Sequence, residues 1–146
     1  MSVALVTPTA GAAQLARGAC RALDQLGFAC LREFPLANAR RADILALGKT
    51  GELVIVEVKS STADFRADHK WAYYRDFSDR LYFAVTSSFP QALIPEDCGL
   101  MVADAFGAAL LRDGAVTPLS PGRRRALILR FARIAALRLN RGLDGP

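Results

Sequence analysis

Asp43, Glu57 and Lys59 are the residues whose types and spacing could do chemistry. Glu57 and Lys59 interrupt the run Leu53-Val54-Ile55-Val56-Glu57-Val58-Lys59. In a strand this run puts Leu53, Ile55, Glu57 and Lys59 on one face and Val54, Val56 and Val58 on the other. Because the second face stays apolar, the strand reads as buried on both sides, where a carboxylate and an ammonium are costly unless paired or bound to something. The preceding stretch, residues 40–47, reads as a strand with Arg41, Asp43, Leu45 and Leu47 on one face. The short turn Gly48-Lys49-Thr50-Gly51 makes the two a hairpin, bringing Asp43 near Glu57 or Lys59. Two carboxylates at one end of a sheet can hold a hard divalent cation, Mg²⁺ or Mn²⁺, of the kind that polarises a phosphodiester and acidifies a bound water. The Lys59 ammonium would orient the attacking water or offset charge building on phosphorus. The plainer alternative is a buried ion pair, Glu57 or Asp43 with Lys59, and no metal.

Other residues could serve the same site. Glu33, on the strand before the hairpin, is a candidate further metal ligand, although an acidic residue on an outer strand is more often solvated. Arg41, on its strand, could bind DNA, and Arg66, His69 and Lys70 could touch phosphate or form the wet side of an ordinary helix. Lys70 and Tyr74 are four residues apart and would share a helical face. Trp71 and Tyr74 read as core more readily than as base-stacking platforms. Ser60 and Ser61 could bond a phosphate or cap the following helix.

Positioning those residues requires a particular succession of elements. A helix with the stripe Leu15, Ala19 and Leu23, capped by Thr9 and stopped at Gly27, comes first. Strands follow over residues 28–36, 40–47 and 52–59. Residues 64–77 read as one helix and 80–85 as a strand. An irregular stretch with two prolines precedes short strands at 100–103 and 108–112. Residues 123–139 form a basic helix, with 1–10 and 140–146 frayed.

With 146 residues the chain has room for one core, and a single domain over 1–146 is expected. Its apolar fraction of 52% is too high for a disordered chain. No apolar run approaches the roughly 18–20 residues of a membrane span, so no membrane partner is expected. Nothing resembles a secretory signal, which points to the cytoplasm. The odd set Cys20, Cys30 and Cys98 contains no close pair of the kind used by zinc and redox sites, and reads as reduced packing residues. The net charge of +5 is unevenly placed, since residues 121–146 carry seven arginines and one aspartate while residues 1–120 carry twelve basic and thirteen acidic side chains. The final helix therefore offers Arg124 and Arg130 to an anionic partner, DNA first, or simply caps the sheet with Leu127, Phe131, Ile134 and Leu137.

The pattern Asp43 followed by Glu57-Val58-Lys59 resembles the PD-(D/E)xK nuclease superfamily, with Ala42 where its motif has proline. Lys70 and Tyr74 resemble the Gln-x-x-x-Tyr feature of some members, with lysine for glutamine. Over nearly the whole chain the sequence also resembles the MmcB-type DNA repair proteins of bacteria. That likeness rests on Glu33-Phe34-Pro35-Leu36, Arg41-Ala42-Asp43, Glu57-Val58-Lys59-Ser60-Ser61 and Asp64-Phe65-Arg66-Ala67-Asp68. Lys70-Trp71, the run from Asp79 to Val85 and Leu129-Arg130-Phe131-Ala132-Arg133 extend it. The resemblance implies an α/β, restriction-endonuclease-like core of helix, three-stranded meander, helix and strand, with extra C-terminal strands and the basic helix. It implies a role in DNA repair, with metal-dependent phosphodiester hydrolysis by Asp43, Glu57 and Lys59 as one reading. The other is a non-catalytic module that keeps the nuclease core to dock on DNA or repair proteins. The high apolar fraction leaves room for self-pairing as well.

Overall fold

The computed structural model describes residues 11–144. The chain forms α1 (Ala12–Gln25), strands β1 (Ala29–Pro35), β2 (Arg41–Leu47) and β3 (Leu53–Lys59), then α2 (Thr62–Ala67) and a 3₁₀ helix (Trp71–Phe77). Strand β4 (Arg80–Val85), a short 3₁₀ turn (Gln91–Leu93), β5 (Gly99–Ala103), β6 (Ala108–Arg112) and α3 (Pro121–Asp144) complete it. The six strands make one mixed sheet whose order follows the chain. β1, β2 and β3 form an antiparallel meander, β3, β4 and β5 run parallel, and β6 returns antiparallel at the edge.

Each face of the sheet has its own core, which is why β3 is apolar on both sides and buried along its whole length. On one face Leu15, Ala19 and Leu23 of α1 meet Ile44, Ala46, Val54, Val56 and Met101. A Cβ at Gly18 would lie 1.8 Å from the Asp104 carbonyl oxygen, so only glycine lets α1 sit against the β5–β6 turn. On the other face Leu127 and Phe131 of α3, with Tyr74 and Phe77, cover Phe34, Leu45, Leu53, Ile55 and Phe83.

Two expectations about elements change. The helix expected over residues 64–77 is broken. α2 ends at Asp68, whose backbone is extended (φ −84°, ψ 104°), and the chain resumes as a 3₁₀ helix. The three-residue period there stacks Trp71, Tyr74 and Phe77 in one row toward the core, where an α-helical period would spread them over a wider face. The last helix runs through Asp144, so residues 140–144 are helical instead of frayed. The expected Thr9 cap and the frayed segments 1–10 and 145–146 lie outside the described residues, and Gly11 takes the cap position.

Arg124 also has a different task from the one expected. Its guanidinium grips both oxygens of the Asp79 carboxylate at 2.6 Å and donates to the Gly51 carbonyl at 2.9 Å. The same carboxylate accepts the N–H groups of Leu53 and Leu119. Burial works to raise the Asp79 carboxyl, but these donors, Arg124 foremost, hold it below the usual range. This pair joins the start of β3, the lead-in to β4 and the first turn of α3, so Arg124 is a structural bolt and not a free phosphate contact. Arg124→Ala should lower unfolding free energy by about 2–3 kcal/mol in urea titrations, because it strands a buried carboxylate. Arg130→Ala, at an exposed position of the same helix, should change it by under about 0.5 kcal/mol.

Candidate active site

The ladder between β2 and β3 starts beside the turn, at Leu47 and Leu53, and stops at Ile44 and Val56. β3 continues beyond that point because β4 holds its other edge, with pairing through Lys59 and Val85. β2 does not follow, and the two strands part. The freed backbone groups are met by carboxylates. The Asp43 N–H donates to Glu57 Oε2 at 2.8 Å, and the Val58 N–H donates to Asp43 Oδ2 at 2.8 Å. Each acid therefore caps the amide that the other strand left unpaired, which fixes both side chains in the notch between the strands. Asp43 Oδ1 and Glu57 Oε1 accept no hydrogen bond from the described residues.

The parting shows in the side-chain pattern. Ala42 and Leu45 belong to one core and Ile44 and Ala46 to the other, so the two-residue alternation slips at Asp43. Across from it, Glu33 has φ +48°, and Leu31 and Phe34 pack on the same face, so β1 slips at the matching place. The expectation that Arg41, Asp43 and Leu45 share a face is corrected accordingly. Asp43 turns out of the alternation toward the gap, which it can do because no ladder partner holds it there.

Burial dominates the electrostatics. Glu57 is 3% exposed; burial and then the Asp43 charge push its carboxyl up to about 9, against the pull of the Asp43 N–H and Lys59. Asp43 is also raised, by burial first, with the Val58 N–H and Lys59 opposing. Lys59 is buried, and its Nζ lies 2.6 Å from Asp68 Oδ2. Asp68 in turn accepts the Lys70 N–H at 2.8 Å. Burial tends to raise the Asp68 carboxyl, yet the bonds from Lys59 and the Lys70 N–H outweigh it and leave it low. The helix break thus delivers Asp68 to Lys59. Asp68 enters the sequence analysis only within the family resemblance, with no role at the site; the signal available was an aspartate able to turn its side chain onto the N–H two residues on.

The other expected residues divide. Glu33 is exposed, 4.0 Å from Arg41 as an ion pair, and shares with Asp43, Val58 and α1 the wall of a cleft of about 500 Å³. No bond draws it to the two acids. Arg41, Arg66, His69, Lys70 and Arg130 are exposed, and Ser60 is half-buried with its N–H on Asp64 at 3.3 Å. Ser61 caps α2 through the Asp64 N–H. Tyr74, expected as a DNA contact, is instead buried and donates its hydroxyl to the Arg41 carbonyl at 2.9 Å. Lys70 precedes the 3₁₀ helix, so the expected shared helical face with Tyr74 does not exist.

The donor set suits a hard cation. Two carboxylates each keep an oxygen free. Among the described residues no group of three or more His, Cys, Asp or Glu side chains converges, so a closed zinc-type cage is not formed. Mg²⁺ is commonly held by one or two carboxylates, with waters and substrate phosphates filling the remaining positions.

The family model described as DNA repair protein MmcB-like matches residues 7–145. The chain belongs to the MmcB-like DNA repair protein family. A solved structure described as a protein of unknown function from Silicibacter pomeroyi is 42% identical, with a TM-score of 0.87 over 92% of this chain and 94% of that one. No curated protein matches. For this MmcB-like chain, the family points to a role in DNA repair. No helix among the described residues is long and apolar enough to cross a membrane.

Proposed function

We propose that this MmcB-like protein is a metal-dependent deoxyribonuclease, of PD-(D/E)xK type, acting on a DNA repair intermediate. The observation that carries the reading is the reciprocal clamp of Asp43 and Glu57. A buried and a half-buried carboxylate are held side by side, each with an oxygen free, and Lys59 lowers the pKa of both. Two adjacent, poorly solvated carboxylates repel one another, and a bound cation relieves that repulsion. Bound there, Mg²⁺ or Mn²⁺ would supply Lewis acidity toward a phosphodiester. Asp43 and Glu57 would hold it, and Lys59 would place its ammonium against the charge that develops on phosphorus, with Asp68 orienting that ammonium. Arg41, Arg66 and Lys70 would engage the backbone phosphates, a sequence-blind contact. The helix, antiparallel meander, helix and strand preceding residue 86 support the same superfamily reading.

One observation favours a second reading, a DNA-docking module without catalysis. The Lys59 ammonium is already paired with Asp68 at 2.6 Å, which leaves less of its charge for a phosphate. The two are separated by incubating the protein with end-labelled single-stranded, flapped, forked and duplex DNA in Mn²⁺ or in chelator. Hydrolysis is expected in Mn²⁺ alone, on at least one branched or single-stranded substrate. Intact DNA throughout, with binding that persists in chelator and weakens as salt rises, would establish the docking module instead.

A further inference from the structure

The 3₁₀ helix turns one aromatic side chain outward. Its three-residue period aligns Trp71, Tyr74 and Phe77 on the core, so Tyr73 faces solvent and is 53% exposed. The Arg40 guanidinium lies over its ring, 4.4 Å from the centroid. Arg40 is presented by the β1–β2 turn, where its carbonyl accepts the Leu36 N–H at 2.8 Å and its N–H donates to Asn38 Oδ1 at 3.1 Å. The bond from the Tyr74 hydroxyl to the Arg41 carbonyl ties turn and helix together, and each partner in that bond is the chain neighbour of one member of the stack. Arg40 is three residues before Asp43, about 10 Å along an extended strand. The stack is therefore an exposed aromatic surface, fixed within one or two nucleotides' reach of the two carboxylates.

We propose that Tyr73 and Arg40 form a stacking platform for an unpaired base, so that the site takes single-stranded DNA, or the single-stranded portion of a repair intermediate. This rests on the nuclease reading only for its choice of DNA. A tyrosine ring and a guanidinium plane are both surfaces on which bases stack, without regard to sequence. Arg41 and Lys70, exposed on either side of the stack in the chain, supply charge for the flanking phosphates. In a duplex the base faces are already occupied by their neighbours, so the platform discriminates strands by pairing state. Tyr73 makes no hydrogen bond through its hydroxyl among the described residues, so its exposed ring is what a partner would meet.

The test measures anisotropy of a fluorescein-labelled oligothymidylate and of a duplex of equal length, in chelator so that nothing is cut. Tyr73→Ala should weaken single-strand binding about tenfold and change duplex binding less than twofold, with Tyr73→Phe close to wild type. Equal losses on both DNAs, no loss on either, or a Tyr73→Phe defect as large as that of alanine would overturn the platform. So would a fall in thermal midpoint large enough to account for the lost binding. A wild type that binds neither DNA overturns it as well. The outcome is separable from the nuclease reading. Selective loss of single-strand binding in a protein that never cuts keeps the platform and removes the nuclease. Cutting that is indifferent to Tyr73→Ala, with unchanged binding, does the reverse.

Discussion

Glu57→Gln should make the protein more stable at neutral pH while removing Mn²⁺-dependent cleavage. The Glu57 carboxyl, ordinarily near 4.5, is pushed up to about 9 in the fold by burial and by Asp43. The folded chain therefore binds the proton more tightly than the unfolded chain does. Its contribution to stability is complete below the unfolded value and is lost as pH rises through 9. At pH 7 the metal-free protein should already have lost up to about 3 kcal/mol of it. Glutamine carries no charge at any pH and keeps an oxygen for the Asp43 N–H, the bond that Glu57 Oε2 now accepts. In chelator, urea midpoints of wild type and variant should lie close together at pH 5 and separate progressively toward pH 9, with the variant higher. Added Mn²⁺ should raise the wild-type midpoint and leave the variant's in place. Parallel pH curves would mean that Glu57 does not hold the strained proton assigned to it.

Lys59→Met should depress cleavage by roughly 10²- to 10³-fold, the scale of losing one charge-stabilising group at a transition state. Methionine fills the space of the lysine stem, so the buried position beside Val85 stays packed. Two effects on cation binding oppose each other. The ammonium lowers the pKa of Asp43 and Glu57 and so keeps them available, but it also repels a cation placed between them. Mn²⁺ affinity by calorimetry should accordingly move by less than about tenfold. Affinity and cleavage falling in equal proportion would mark Lys59 as a scaffold for the carboxylates. Unimpaired cleavage would remove it from the chemistry.

The hairpin and the face shared by Glu57 and Lys59 were legible in the sequence because they follow from a two-residue period and a short glycine turn, both local. The burial of β3 on two sides was readable for the same reason. What escaped was decided between distant segments. Asp43 leaves its strand's alternation because β4 supports β3 past the point where β2 lets go, and no feature of residues 40–47 announces that. Arg124 looked like any other arginine of a basic helix; its partner, Asp79, comes from the lead-in to β4. Asp68 interrupts a helix whose propensity is adequate throughout, since the pull of the Lys59 ammonium outweighs a few tenths of a kcal/mol per residue. Tyr73 points outward from a 3₁₀ turn that the sequence reading had as α-helix.

The parting of β2 from β3 joins the architecture and the proposed chemistry in the same few atoms. Zipping the two strands together past Ile44 and Val56 would close the notch in which the Asp43 and Val58 amides now meet the two acids, and the acids would lose that anchorage. Selection for a sturdier sheet at this place and selection for an operative notch therefore pull in opposite directions. Any stabilised form of this protein that keeps the notch has to gain its strength elsewhere, in the two cores or around Asp79.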